Sequence, residues 1–259
     1  MKILALSGWG QPHDTLADVV PENVTHFDYT GYTTIESALA AIAQEAKNHD
    51  AVIGWSLGGQ LAVRAVASGL MLPKKLVLIG VPFQFVHNDK AKIGMPQDKF
   101  QKFRDNYAKN AQRTLAKAWE LIVLNDKNPD YVRAQFAKYN QAAMLEKNWL
   151  HWLDMLDGFS CSELDFSQFP LSLLLHGVQD AVVEHTQAHE FAKLIPQAKH
   201  IILPDAGHAP HWHDTQLVRK HVEEFLSLLS LPLPLPLGEG RGEGIVSLDN
   251  QQLITSNNQ

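Results

Sequence analysis

Apolar and polar positions along this chain switch repeatedly between two periods. Lys2 to Gly8 is a short apolar run ending in glycine, and Val24 to Tyr29 is a second one, so both predict strands. Ile35, Ala38, Leu39, Ile42, Ala43 and Ala46 then recur at helical spacing, and Asp50 to Gly54 returns to a compact apolar run. From Leu57 the helical pattern resumes through Leu61, Ala62, Ala65 and Val66 to Gly69, and Lys75 to Val81 is another strand. Strand and helix in alternation predict a mostly parallel sheet with helices on both faces.

After Val81 the rhythm stops. Residues 82–167 contain long amphipathic segments, notably Ala111 to Leu124 and Tyr131 to Leu156, with no convincing strand between them. The alternation returns with Leu171 to Gly177, a helix around Thr186 to Leu194, the strand His200 to Leu203 and a closing helix from Thr215 to about Ser230. The expected organisation is one α/β core, residues 1–81 and 168–230, with a sheet of about six strands and a helical cap, residues 82–167, inserted between its halves. Such an insertion is expected over the C-terminal edge of the sheet, where open α/β folds place their ligands. Beyond Leu229, alternating Leu-Pro gives way to Gly-Glu-Gly-Arg-Gly-Glu-Gly; proline blocks helix and ladder alike, so residues 231–259 are expected to be a disordered tail.

Composition narrows the function classes. At 259 residues, 45% hydrophobic and 19% charged, the chain can bury a substantial core. A net charge of -6 argues against nucleic acid or an anionic membrane as a partner of the whole surface. Cys161 is the only cysteine, which excludes an intramolecular disulfide and a cysteine-built metal site. Ile3 to Leu6 is far shorter than a secretory apolar region, and no stretch approaches the roughly 20 apolar residues of a membrane span, so a cytoplasmic protein is expected.

The sharpest motif is Gly54-Trp55-Ser56-Leu57-Gly58. It lies between the apolar run Ala51 to Ile53 and the helix beginning near Leu57, which is the strand-turn-helix a nucleophile elbow requires; glycines at 54 and 58 suit a tight turn with close backbone neighbours. A serine hydroxyl is a weak nucleophile, so a histidine must take its proton and a carboxylate must orient that histidine. His208 follows the strand His200 to Leu203, and Asp180 follows the strand Leu171 to Leu175, in the chain order serine, acid, histidine. Asp205 is the alternative acid, but it stands three residues before His208 and equally suits a turn. His208, His211 and His213 also offer a zinc-like spacing, although no carboxylate or thiolate partner is evident; neither a metal nor a cofactor is expected. The amides of Leu57 and of Trp9, in the loop after the first strand, are the expected oxyanion donors.

Leu6-Ser7-Gly8-Trp9-Gly10, Gly54-Trp55-Ser56-Leu57-Gly58-Gly59, Asp180 with Val182 and Val183, and His208-Ala209-Pro210 together resemble the pimeloyl-acyl-carrier-protein methyl ester esterases of biotin synthesis, over residues 1 to about 230. The resemblance implies an α/β-hydrolase fold, a triad of Ser56, Asp180 and His208, oxyanion amides at Trp9 and Leu57, and an ester substrate carried on acyl-carrier protein. Two departures stand out: the family's His-Gly-Trp-Gly is here Ser7-Gly8-Trp9-Gly10, and the sequence starts at what would be the third strand, so the family's leading hairpin is expected to be absent. Trp9, Trp55, Trp119, Phe136, Trp149 and Trp152 are candidates to line an acyl channel; those in the cap serve equally well as its core. Lys90, Lys92, Lys99, Lys102, Arg104, Lys109, Arg113 and Lys117 outnumber Asp98 and Asp105 in one stretch of the cap. A basic surface on an acidic protein suits docking of an acidic carrier, with Arg104, Lys109, Arg113 and Lys117 as the docking candidates; a solvated helix face would look the same.

Overall fold

The computed structural model describes residues 1–20, 23–88, 92–139, 144–145, 147 and 149–228; the expected tail and Lys90 lie outside them. Its strands are β1 (Ile3–Leu6), β2 (Val24–His26), β3 (Ala51–Trp55), β4 (Lys75–Ile79), β5 (Leu171–Gly177) and β6 (Lys199–Leu203). They form one sheet in the order β2-β1-β3-β4-β5-β6, and every neighbouring pair among the described residues is parallel. The chain leaves β1 towards β2 on one side and returns to β3 on the other. The loops after β1 and β3 therefore part at the C-terminal edge, at the switch point where such sheets open a crevice.

Alternation along each strand feeds two cores. Leu4, Leu6, Val52, Leu76 and Leu78 face one, with Leu39, Ile42, Leu61 and Phe191; Ile3, Ala5, Ile53, Val77, Ile79 and Leu175 face the other, with Val218, Val222 and Phe225. Burial on both faces explains why β1, β3, β4 and β5 appear in the sequence as largely continuous apolar runs. The first core is covered by α1 (Ile35–Ala46), α2 (Leu57–Ala67) and α7 (Thr186–Leu194), the second by α8 (Pro210–His213) and α9 (Thr215–Ser227). Side chains start these helices: Thr34 and Ser37 cap α1 reciprocally, and Asp214 accepts from the Leu217 N–H of α9 at 2.9 Å. The fully buried ammonium of Lys75 donates to the carbonyls of Leu226 and Leu228, a cation set against the C-terminal end of α9.

Between β4 and β5 the chain forms α3 (Gln97–Lys109), α4 (Ala111–Val123), α5 (Pro129–Phe136) and α6 (Trp149–Asp154). The amphipathic run Tyr131 to Leu156 predicts one long helix, but the structure divides it into α5 and α6. The reason is packing: Val132, Phe136 and Tyr139 pack in the core of Trp212, whereas Trp149, Trp152, Leu153 and Leu156 belong to the core of Phe100 and Tyr107. One straight helix cannot serve both. Helix α3 has no counterpart in the sequence reading, because only Phe100 and Tyr107 of its residues are buried.

Candidate active site

Ser56 stands between β3 and α2 with φ 52° and ψ -121°, a left-handed backbone that a non-glycine residue adopts only at a cost of about 1–3 kcal/mol. The surrounding turn enforces it. A Cβ on Gly54 would lie 2.4 Å from Gly59 Cα, and one on Gly58 would lie 2.3 Å from the Leu6 carbonyl oxygen, so neither position accepts a side chain. The sharp reversal lifts the Ser56 hydroxyl to the sheet's C-terminal edge. There His208 Nε2 lies 3.0 Å from Ser56 Oγ, and His208 Nδ1 lies 2.7 Å from Asp180 Oδ2.

Asp180 is fully buried yet saturated with donors. The N–H groups of Val182 and Val183 each donate to Oδ1 at 2.8 Å, and His176 Nε2 lies 3.2 Å from Oδ2 and 2.9 Å from the Val183 carbonyl. Burial opposes its charge, but the facing His208 and the hydrogen bonds from His176 and His208 hold the carboxyl well below the usual range. An ionised Asp180 fixes the proton of His208 on Nδ1 and leaves Nε2 free to accept from Ser56. His176 was not singled out from the sequence; its only signal was its place just before Gly177 at the strand end. Asp205, the alternative acid, instead accepts through its carbonyl from the Lys127 N–H and leaves the imidazole to Asp180.

The three closely spaced histidines have separate surroundings. His208 joins Ser56 and Asp180, His213 Nδ1 pairs with Asp126 at 2.7 Å, and His211 is buried against the Trp55 ring with both nitrogens unpartnered among the described residues. Burial, reinforced by nearby His208, pushes the His211 imidazole down to about 3. No group of histidine, cysteine or carboxylate side chains among the described residues is placed to hold a metal.

A pocket of about 710 Å³, including its open mouth, reaches Ser56 and His208. Trp9 and Leu57 both line it, and Leu57 begins α2, where N–H groups have no partner within the helix. The loop carrying Trp9 passes so close that a Cβ on Gly8 would meet Ser56 Cβ at 3.3 Å. Ser7, which stands where the resembled family has histidine, bonds to the His13 carbonyl at 2.9 Å and the Thr15 hydroxyl at 2.6 Å. Phe85, Met95, Phe103, Leu121, Leu153 and Leu156 make much of the remaining wall apolar, and Gln11 adds a polar group to it.

Of the six aromatic candidates, Trp9 and Trp55 line this pocket and the other four do not. Trp149 supports Trp9 instead: its carbonyl accepts from Trp9 Nε1 at 2.8 Å, and its ring meets the Trp9 ring edge-on. Trp152 is fully buried against Tyr29, while Trp119 and Phe136 line a separate depression beside Trp212. These side chains link the inserted helices to the loops after β1 and β2 and to α8, through Trp9, Gly10, Tyr29 and Trp212. Trp55 also has a second role, since its Nε1 donates to the His208 carbonyl at 3.0 Å.

The basic candidates divide as well. Arg104 is held by Asp154, with Nη2 3.1 Å from Oδ2, which ties α3 to α6. Lys109, Arg113 and Lys117 have no ion-pair partner among the described residues and line an open groove along α3 and α4. Phe103 and Leu121 line both this groove and the pocket of Ser56.

Fold and site geometry define a class: the chain belongs to the alpha/beta hydrolase family, which it matches over residues 3–220. Among particular relatives, it is 26% identical over 228 residues to a pimeloyl-[acyl-carrier protein] methyl ester esterase of Nitrosomonas europaea, covering 80% of this chain and 88% of that protein. It is also 26% identical over 249 residues to a biotin biosynthesis bifunctional protein of Cellvibrio japonicus, covering 88% of this chain and 48% of that protein, so it spans about half the length of that relative. An esterase from Exiguobacterium antarcticum shares the fold with a TM-score of 0.73 at 15% identity, covering 88% of this chain and 92% of that one. A bromoperoxidase from Bacillus anthracis does so with a TM-score of 0.72 at 16% identity, covering 87% and 91%. No helix among the described residues is long and apolar enough to cross a membrane.

Proposed function

We propose that this chain is a carboxylesterase that works through an acyl-enzyme on Ser56, and that its substrate is the methyl ester of a pimeloyl group carried on acyl-carrier protein. The observation that carries the reaction type is the unbroken relay Ser56 Oγ, His208 and Asp180, at 3.0 and 2.7 Å. His208 Nε2 takes the hydroxyl proton as Ser56 Oγ bonds to the ester carbonyl carbon. The oxyanion that forms is received by the amides of Trp9 and Leu57. As the intermediate collapses, His208 returns the proton to the departing alkoxide, which leaves as the alcohol. Water then attacks the acyl-enzyme with His208 again as base, and the acid and free Ser56 are released. Asp180 stays ionised throughout and stabilises the imidazolium.

The choice of substrate draws on the relatives whose names specify it and on the groove of Lys109, Arg113 and Lys117, which shares Phe103 and Leu121 with the pocket. A carrier docked there by charge would bring its tethered acyl chain to the pocket mouth, and the apolar wall suits a chain of methylenes. The helical segment 82–167 would then act as a cap, supplying both the wall and the docking face.

Two experiments test the two levels. Ser56→Ala should lower turnover of short p-nitrophenyl esters by roughly 10⁴-fold or more and abolish labelling by a fluorophosphonate; retained labelling would refute the mechanism. The gene should restore growth without biotin to a bacterium lacking its own pimeloyl ester esterase. Failure with folded, active protein would leave the esterase and remove the substrate.

A further inference from the structure

We propose that Asp126 is a positioning residue that clamps the His208 loop to the helical insertion and so keeps the imidazole facing Ser56. Its catalytic consequence rests on the esterase reading above, but the clamp is a separate structural device. Asp126 lies in the turn between α4 and α5, and its side chain is 1% exposed. Oδ2 accepts from the Gly207 N–H at 2.7 Å; Oδ1 accepts from the Asn128 N–H at 2.7 Å and from His213 Nδ1 at 2.7 Å. Two flanking backbone bonds join the same segments: His208 N–H to the Ile122 carbonyl at 3.3 Å, and Lys127 N–H to the Asp205 carbonyl at 3.0 Å.

A carboxylate is taken out of water only where donors replace its hydration. Here two backbone amides and an imidazole do so, and one of those amides immediately precedes His208. Gly207 is part of the fit, since a Cβ there would lie 2.9 Å from the Ile122 carbonyl oxygen and 3.3 Å from Asp126 Oδ2. Asp126 itself does not line the pocket, so it acts through the loop. The preceding helix α4 does line the pocket, through Ala118, Leu121 and Ile122. The element that meets substrate therefore runs directly into the turn that holds the base, and its seating is coupled to the aim of Nε2.

The test compares Asp126→Ala, Asp126→Asn and His213→Gln with the parent chain. Active sites are counted by fluorophosphonate titration, kcat and KM are measured on p-nitrophenyl acetate, and amide exchange is followed across residues 205–208. Loss of the clamp should speed exchange in that loop about tenfold and lower kcat per titrated site by about 10- to 100-fold, with KM within about twofold. Asp126→Asn, which keeps the shape and one acceptor oxygen, should lie between Asp126→Ala and the parent. Melting curves separate this from general destabilisation, which lowers the count of active sites rather than kcat per site. Unchanged exchange would overturn the clamp whether or not the chain hydrolyses esters. Faster exchange with unchanged kcat per site would overturn the positioning role and leave the esterase reading intact. A parent chain without turnover would refute that reading and the catalytic role together, while exchange would still judge the clamp.

Discussion

The strand-end loops and the helical insertion meet at one pocket but are built by opposite rules. The side chains of Ser56, Asp180 and His208 are buried and hydrogen-bonded in series, and the backbone at Ser56 is held by glycines with no spare room. The insertion offers apolar side chains to the pocket and, to the surface, cations without an ion-pair partner among the described residues; only two of the thirteen residues of α3 are buried. On the proposed mechanism, the first region fixes chemistry, where an ångström matters; the second fixes shape and charge, which many sequences can supply.

That contrast predicts effects of very different size. Asp180→Asn preserves the outline of the site but allows the wrong tautomer of His208, so kcat should fall roughly 10⁴-fold on any ester, short or carrier-bound. A small loss would mean that His176, 3.2 Å from the same oxygen, can help orient the imidazole without the carboxylate's charge. Reversing Lys109, Arg113 and Lys117 together to glutamate should leave short esters unaffected while lowering kcat/KM for a carrier-bound ester by about 10- to 100-fold, an effect that shrinks with added salt. Equal losses on both substrates would erase the division between the two regions.

The smallest effect concerns acid stability. His211 is neutral in the fold, and its imidazole is pushed down to about 3. Below about pH 6.5, the ordinary histidine value, the unfolded chain binds a proton that the folded one refuses, so stability falls as pH drops through that window. His211→Phe should remove this component and reduce the loss in melting temperature between pH 7.5 and pH 5 by a few degrees, with short-ester turnover at pH 7.5 nearly unchanged. The buried Asp180 works on a lower range. Its carboxyl lies below the ordinary value, so its stabilisation is complete above about pH 4 and lost only as pH falls further.

The same contrast governs what the sequence disclosed. That Ser56, Asp180 and His208 meet was legible because each stands just beyond an apolar strand, and a parallel sheet gathers those ends on one edge. The insertion was legible as helical but not in its partners. Trp149 and Trp152 carry the composition of a substrate channel, yet they are spent on Trp9 and Tyr29, contacts that span more than a hundred residues. Asp126 followed by Asn128 and Pro129 has the pattern of an ordinary turn before a helix, and the Asn128 N–H does bond to it. Its second oxygen reaches Gly207, which no local pattern can express.

The crowding at the Ser56 turn also bears on how this protein can change. A Cβ on Gly59 would meet Val81 Cγ2 at 2.2 Å, and Gly54 and Gly58 are equally confined, so almost any mutation there is lost as an unfolded chain before selection can judge its activity. Variation that alters substrate preference must therefore accumulate elsewhere. Phe85, Met95, Phe103, Leu121, Leu153 and Leu156 meet the pocket from the insertion side without touching the relay's hydrogen bonds. Mutagenesis libraries confined to those six positions sample the tolerant part of the site, and descent with new specificity is open to the lineage by the same route.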